Sequence, residues 1–109
     1  MNIKNLFQKR YKKYTLYVGL NDKDFKKQII SDESAINFIS GLFDSVTIQK
    51  ATGIYTHESG CKVTENTLIV TYIDFEGGFK IMPIITKIKA AFNQESIAYE
   101  TIKTNSRLV

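Results

Sequence analysis

The chain has one cysteine, one histidine, one proline and no tryptophan in 109 residues. Cys61 stands alone, so no internal disulfide can close and no CxxC pair can hold zinc. A reducing, cytoplasmic setting is the default for such a chain, in a bacterial cell or an infected host cell. No apolar run approaches the roughly 20 residues that cross a bilayer, so no membrane role is expected. The N-terminus is basic but lacks the apolar core of a signal peptide. Internal repeats and low-complexity tracts are absent as well.

The positive charge is unevenly spread. Lys4, Lys9, Arg10, Lys12 and Lys13 fall in the first thirteen residues, with no acid among them. The remaining basic and acidic residues nearly cancel. The net charge of +4 therefore reports a basic arm on a neutral domain. Nucleic acid is disfavoured as a partner on this ground. The expected organisation is an arm over residues 1–13 and one domain over 14–109. A short helix in the arm would put Ile3, Leu6 and Phe7 on one side and the cations on the other. The wealth of Ile, Lys, Asn and Thr fits an AT-rich bacterial or phage genome.

Hydrophobic spacing orders the rest. Tyr14, Leu16, Val18 and Leu20 alternate as a strand, which Asn21-Asp22-Lys23-Asp24 ends with turn formers. Ser31 is set to cap a helix over 32–43, with Asp32 and Glu33 suiting its dipole. A second strand runs from Val46 to Tyr55, and Gly53 within it implies a bulge or a close backbone approach. His57 to Cys61 forms a hairpin tip. The return strand starts near Lys62, and its centre, 68–73, is apolar on both faces. After Glu76-Gly77-Gly78 comes the cleanest helical stripe: Ile81, Ile84, Ile85, Ile88 and Phe92. Pro83 is tolerated there only in the first turn. The last strand covers 96–103. This order, β-α-β-β-α-β, is that of a ferredoxin-like α+β sandwich: a four-stranded antiparallel sheet with two helices on one face. Its other face would carry Tyr17, Tyr55, Ile69, Thr71, Ile73 and Tyr99, more apolar surface than solvent favours. A homo-oligomer is therefore expected.

Three segments form a recognisable set: Tyr17-Val18-Gly19-Leu20-Asn21, Gly53-Ile54-Tyr55 and Phe92-Asn93-Gln94-Glu95-Ser96-Ile97. Together they resemble a family of small uncharacterised bacterial and phage domains with a ferredoxin-like fold, similar in outline to the PII and CutA group. The resemblance covers about residues 14–103. It implies the fold and a tendency to oligomerise, with ligands held between subunits. The Gly-rich phosphate loops of better-known nucleotide binders are absent.

No catalytic set stands out. His57 is the only histidine, and Ser59 and Cys61 share its turn, where side chains seldom aim at one another as a triad requires. Asn21-Asp22-Lys23-Asp24 opens like a calcium loop but lacks the central Gly and closing Glu. No metal or cofactor is implied. Gly77, Gly78 and Lys80, before the second helix, could receive a phosphate or carboxylate. The tyrosines on the open face could stack on a base, although the aromatic consensus of RNA-recognition domains is missing.

These features lead to the expectation of a non-catalytic, oligomeric binder of a small anionic ligand, such as a cyclic nucleotide signal. It would act as a sensor or a sequestering sponge, an anti-defence device if phage-borne. The expected ligand-binding residues are Tyr17, Asn21, Tyr55, His57, Gly78, Lys80, Tyr99 and Arg107. Two other readings stand beside it. One is an inhibitor of a host enzyme that uses the basic arm and a sheet edge. The other is a dimeric α/β-barrel enzyme with His57 as acid or base.

Overall fold

The computed structural model describes residues 10–109. Six elements follow one another: β1 (Tyr11–Gly19), α1 (Asp32–Ser40), β2 (Thr47–Thr56), β3 (Lys62–Asp74), α2 (Ile81–Phe92) and β4 (Ala98–Thr104). The strands form one antiparallel sheet in the order β2-β3-β1-β4, and the sheet is open. This is the ferredoxin-like arrangement that the alternating pattern implies. β1 starts at Tyr11, three residues before the expected Tyr14. Lys12 and Lys13 thus belong to the sheet. The proposed arm helix lies otherwise outside the described residues.

Strand parity sorts the side chains. Tyr14, Leu16 and Val18 of β1 and Leu68 and Val70 of β3 point to the helices and are buried. Against them pack Ala35 and Ile39 of α1 and Ile81, Ile85, Ile88 and Phe92 of α2. The opposite face holds Tyr17, Ile69, Thr71 and Ile73 on the central strands and Ile102 on β4. No helix among the described residues covers it, so within them the apolar centre of β3 is shielded on one side only.

Each helix is bounded by its sequence. Ser31 caps α1, its hydroxyl accepting from the Ser34 N–H at 3.2 Å. Gly41 ends α1 three residues short of the expected Phe43. Leu42 and Phe43 still reach the core from the following turn. Pro83 is the third residue of α2, where its missing N–H has no partner to lose. Asn93 closes α2 in the left-handed conformation, φ 49°, and its N–H bonds the Lys89 carbonyl.

Candidate functional site

At the end of the sheet where β1 stops, the chain is tied rather than loose. Leu20 N–H still reaches the Asn66 carbonyl at 3.0 Å. The following loop folds back on itself through a bridge between Asn21 and Gln28. Asp22 is its anchor: one carboxylate oxygen accepts from Asp24 N–H at 2.8 Å, Phe25 N–H at 3.0 Å and the Asn93 side-chain amide at 3.0 Å. That amide also reaches Asp24 at 2.7 Å. Gln94 donates to the Asn21 carbonyl at 2.6 Å. The left-handed turn at Asn93 is what aims these two adjacent amides at the loop.

These bonds hold the Asp22 carboxyl below its ordinary value of 3.8. The Phe25 N–H is the largest cause, followed, against an opposing desolvation, by Asp24 N–H, the Asn93 amide and Lys23. A lowered folded-state value means the stabilisation is present above about pH 4 and lost as pH falls below it. Urea midpoints measured from pH 6 down to 2 should therefore show an acid-side loss that is smaller in Asp22→Asn. An identical acid limb in both proteins would refute this role for Asp22.

Glu65 of β3 sits beside this loop on the open face. It is half-buried and flanked by glycines on both neighbouring strands. Its Oε2 accepts from the Asn21 N–H at 3.0 Å. A Cβ built on Gly19 would lie 2.6 Å from the Glu65 Cδ, so only glycine leaves the carboxylate its place. On the other side Gly53 pairs with Glu65 in register. A Cβ there would lie 2.5 Å from the Thr67 hydroxyl and 3.6 Å from the Glu65 Cγ. The register of β2 against β3 runs unbroken, so Gly53 marks close approach and not a bulge.

Glu65 lies in the wall of a cavity of about 740 Å³, which Asn21, Tyr55, His57, Gln94 and Glu95 also line. The three segments that set the sequence apart meet here, one from each of β1, β2 and the α2–β4 turn. The lining has four carboxylates, Asp22, Glu58, Glu65 and Glu95, against Lys23 and Lys26. An anion is the wrong guest for such a lining. In the hairpin tip His57 Nδ1 accepts from the Ser59 N–H at 3.1 Å. The Ser59 hydroxyl is 3.1 Å from the same nitrogen. Both contacts are local to the turn, and no carboxylate among the described residues bonds the ring. Among the described residues no group of three or more His, Cys, Asp and Glu could hold a metal ion.

The other expected ligand residues lie elsewhere. Asn21, Tyr55 and His57 share the cavity. Tyr17 is on the open face, its hydroxyl donating to Glu100 at 2.7 Å. Tyr99 is not on that face: it pairs with Leu16, so parity turns it to the helix side, near Tyr14. Gly78 and Lys80 line a second cavity at the other end of β1, roughly 25 Å away by strand rise. Arg107 is exposed beyond β4. The Gly77 and Phe79 N–H groups do not wait for an anion, because the buried Asp74 carboxylate accepts both, at 2.8 and 3.0 Å. Tyr17 and Tyr55 therefore share no cavity with Lys80, and Tyr99 faces the other side of the sheet from both of them. Sequence reasoning missed Glu65, Gln94 and Glu95. The pairing of Gly19 and Gly53 around one acid was the available signal, and it appears only once the strands are in register.

No protein-family model matches the chain, and no curated protein does. Two solved structures match. One is a phage SAM lyase in complex with S-methyl-5'-thioadenosine, 25% identical, covering 87% of this chain and 82% of its own, with a TM-score of 0.67. The other is a phage SAM lyase in the apo state, at 24% identity and a TM-score of 0.62. These bear out the small domain and its fold, and both neighbours are phage proteins, although neither is a PII or CutA protein. They overturn the non-catalytic reading, because the protein with this fold and 25% identity is an enzyme. The sensor or sponge for an anionic signal falls with it. No helix among the described residues is long and apolar enough to cross a membrane.

Proposed function

We propose that this chain is a lyase of S-adenosylmethionine that releases S-methyl-5'-thioadenosine. One observation carries the reading. The three distinctive segments converge on Glu65 in a fold that, in a 25% identical phage lyase, binds that thioether. Electrostatics supports it. The substrate bears a sulfonium and an ammonium against one carboxylate, and the acid-rich cavity suits such a cation. Tyr55 offers a ring face for the adenine or for the sulfonium. Glu65, with one oxygen on the Asn21 N–H, keeps the other for the substrate's ammonium.

The chemistry asks little of the protein. The bond from sulfur to the γ-carbon of the amino-acid chain breaks, and its electron pair neutralises the sulfonium. A lyase adds no water, so the γ-carbon takes its new bond from within the substrate. The substrate's own carboxylate oxygen attacks it and closes a five-membered lactone. No proton moves to or from the enzyme. Catalysis is then a matter of holding the chain folded for attack. His57 needs no acid–base role in this scheme.

Turnover in ¹⁸O-labelled water tests the reaction type. Mass spectrometry at early times should find the four-carbon product without label on its γ-carbon. Label there would mean hydrolysis instead. Gly19→Ala tests the placement of Glu65. The new methyl group displaces the end of a flexible side chain and not backbone. Activity should fall about tenfold or more while melting temperature stays level or rises slightly. Unchanged activity would show that the glycine clears space for nothing that matters. A homo-oligomer belongs to the same reading. Ile69, Ile73 and the 53% exposed Ile102 need cover, and a second copy would also close the cavity. Native mass spectrometry should find no monomer at micromolar concentration.

A further inference from the structure

The second cavity, about 510 Å³, lies at the end of the sheet far from Glu65. Arg10, Lys12, Lys80 and Lys103 converge on it from the start of β1 and the residue before it, from the turn before α2 and from β4, with Tyr11 and Phe75 and the carboxylates of Asp74 and Glu76 also among its walls. Those two rings meet edge to face at 5.0 Å. The charges are placed at a cost. Lys12 and Lys103 are direct cross-strand partners on one face, a like-charge pair that weakens a sheet. Asp74, across from Lys12 on β3, has both its oxygens bonded to the Gly77 and Phe79 N–H groups. With Glu76 it sets two carboxylates against the four cations, so the lining keeps a positive surplus. None of the four cations forms an ion pair among the described residues, where the ion pairs are those of Lys50. Half of this charge comes from outside the basic arm. Nucleic acid is disfavoured in sequence because the charge excess sits in the arm and because the aromatic consensus of RNA-recognition domains is missing; neither ground decides this site, since it gathers cations from three parts of the chain at the end of the sheet.

We infer that this cavity binds the phosphate backbone of a single-stranded nucleic acid. The four cations meet successive phosphates, and Tyr11 and Phe75, on the open-face side of the same sheet end, offer ring surface to a base where the strand rounds that end. The inference is independent of the lyase reading, because it uses none of the residues around Glu65.

The test is fluorescence anisotropy with a labelled single-stranded oligonucleotide of about 12 nucleotides, at about 50 mM salt. The full chain should bind, and the double variant Lys12→Thr/Lys103→Thr should lose about tenfold or more in affinity. Its log–log salt slope should shrink by about 1.4, two phosphate contacts' worth. The control Lys87→Ala/Lys89→Ala removes the same charge from α2 and should change affinity by less than about twofold. Lys103→Thr alone should raise the melting temperature by about 2–4 °C, because it relieves the like-charge pair. No binding by the full chain would overturn the inference. So would equal losses in the two double variants, or tighter binding of a polyglutamate of equal charge.

Discussion

Glu65→Gln will keep the fold and lower kcat/KM for S-adenosylmethionine about 100-fold. The amide has the carboxylate's shape, and its oxygen can still accept the Asn21 N–H that Glu65 accepts at 3.0 Å. What it loses is the negative charge facing a cationic substrate. Hydrogen bonds to charged groups contribute about 1.5–3 kcal/mol, which corresponds to roughly 10- to 150-fold in rate. Thioether release followed by chromatography, with a circular-dichroism melt alongside, separates activity from folding. A variant as active as the parent would remove Glu65 from the site and leave the acid-rich cavity without a role.

Ile88→Ala will destabilise the domain by about 3 kcal/mol. Ile88 is fully buried in the middle of the α2 stripe, with Ile81, Ile85 and Phe92 on the same side. Removing its outer carbons opens a cavity that the closely packed strands cannot refill. Domains of this size have about 5–15 kcal/mol to lose, so this is a large share. Met82, 56% exposed on the same helix, is the control: Met82→Ala should cost less than about 0.5 kcal/mol. Urea midpoints for the two variants decide the matter. Equal shifts would mean that the stripe does not bear the core.

The fold was legible because its signals are local. Period-two alternation in β1, the Ser31 cap, the position of Pro83 and the 3.6-residue stripe of α2 each act within a few residues. The early start of β1 at Tyr11 escaped notice because Lys12 and Lys13 carry charge where a strand usually shows apolar residues. The site was less legible because it exists only across strands. Tyr99 went to the wrong face through a parity that β4's register alone decides, pairing it with Leu16. Glu65 gave no sign by itself, and Gly19, whose missing side chain leaves room for its carboxylate, is 46 residues away in sequence. The catalytic reading was lost for a chemical reason. A search for histidine, cysteine and serine sets finds enzymes that supply a nucleophile or a proton. A sulfonium substrate brings its own leaving group and, in its carboxylate, its own nucleophile. The three segments behind the family resemblance were the better guide, and they line the cavity where Asn21, Tyr55 and Glu95 meet.

Counting turnovers shows whether this one chain is a catalyst. Purified protein is incubated with a large molar excess of S-adenosylmethionine, and S-methyl-5'-thioadenosine is quantified over time against a protein-free control. A catalyst yields many molecules of thioether per chain, at a rate proportional to protein concentration. Substrate that is bound but returned intact, with thioether no higher than in the control, would contradict the lyase reading.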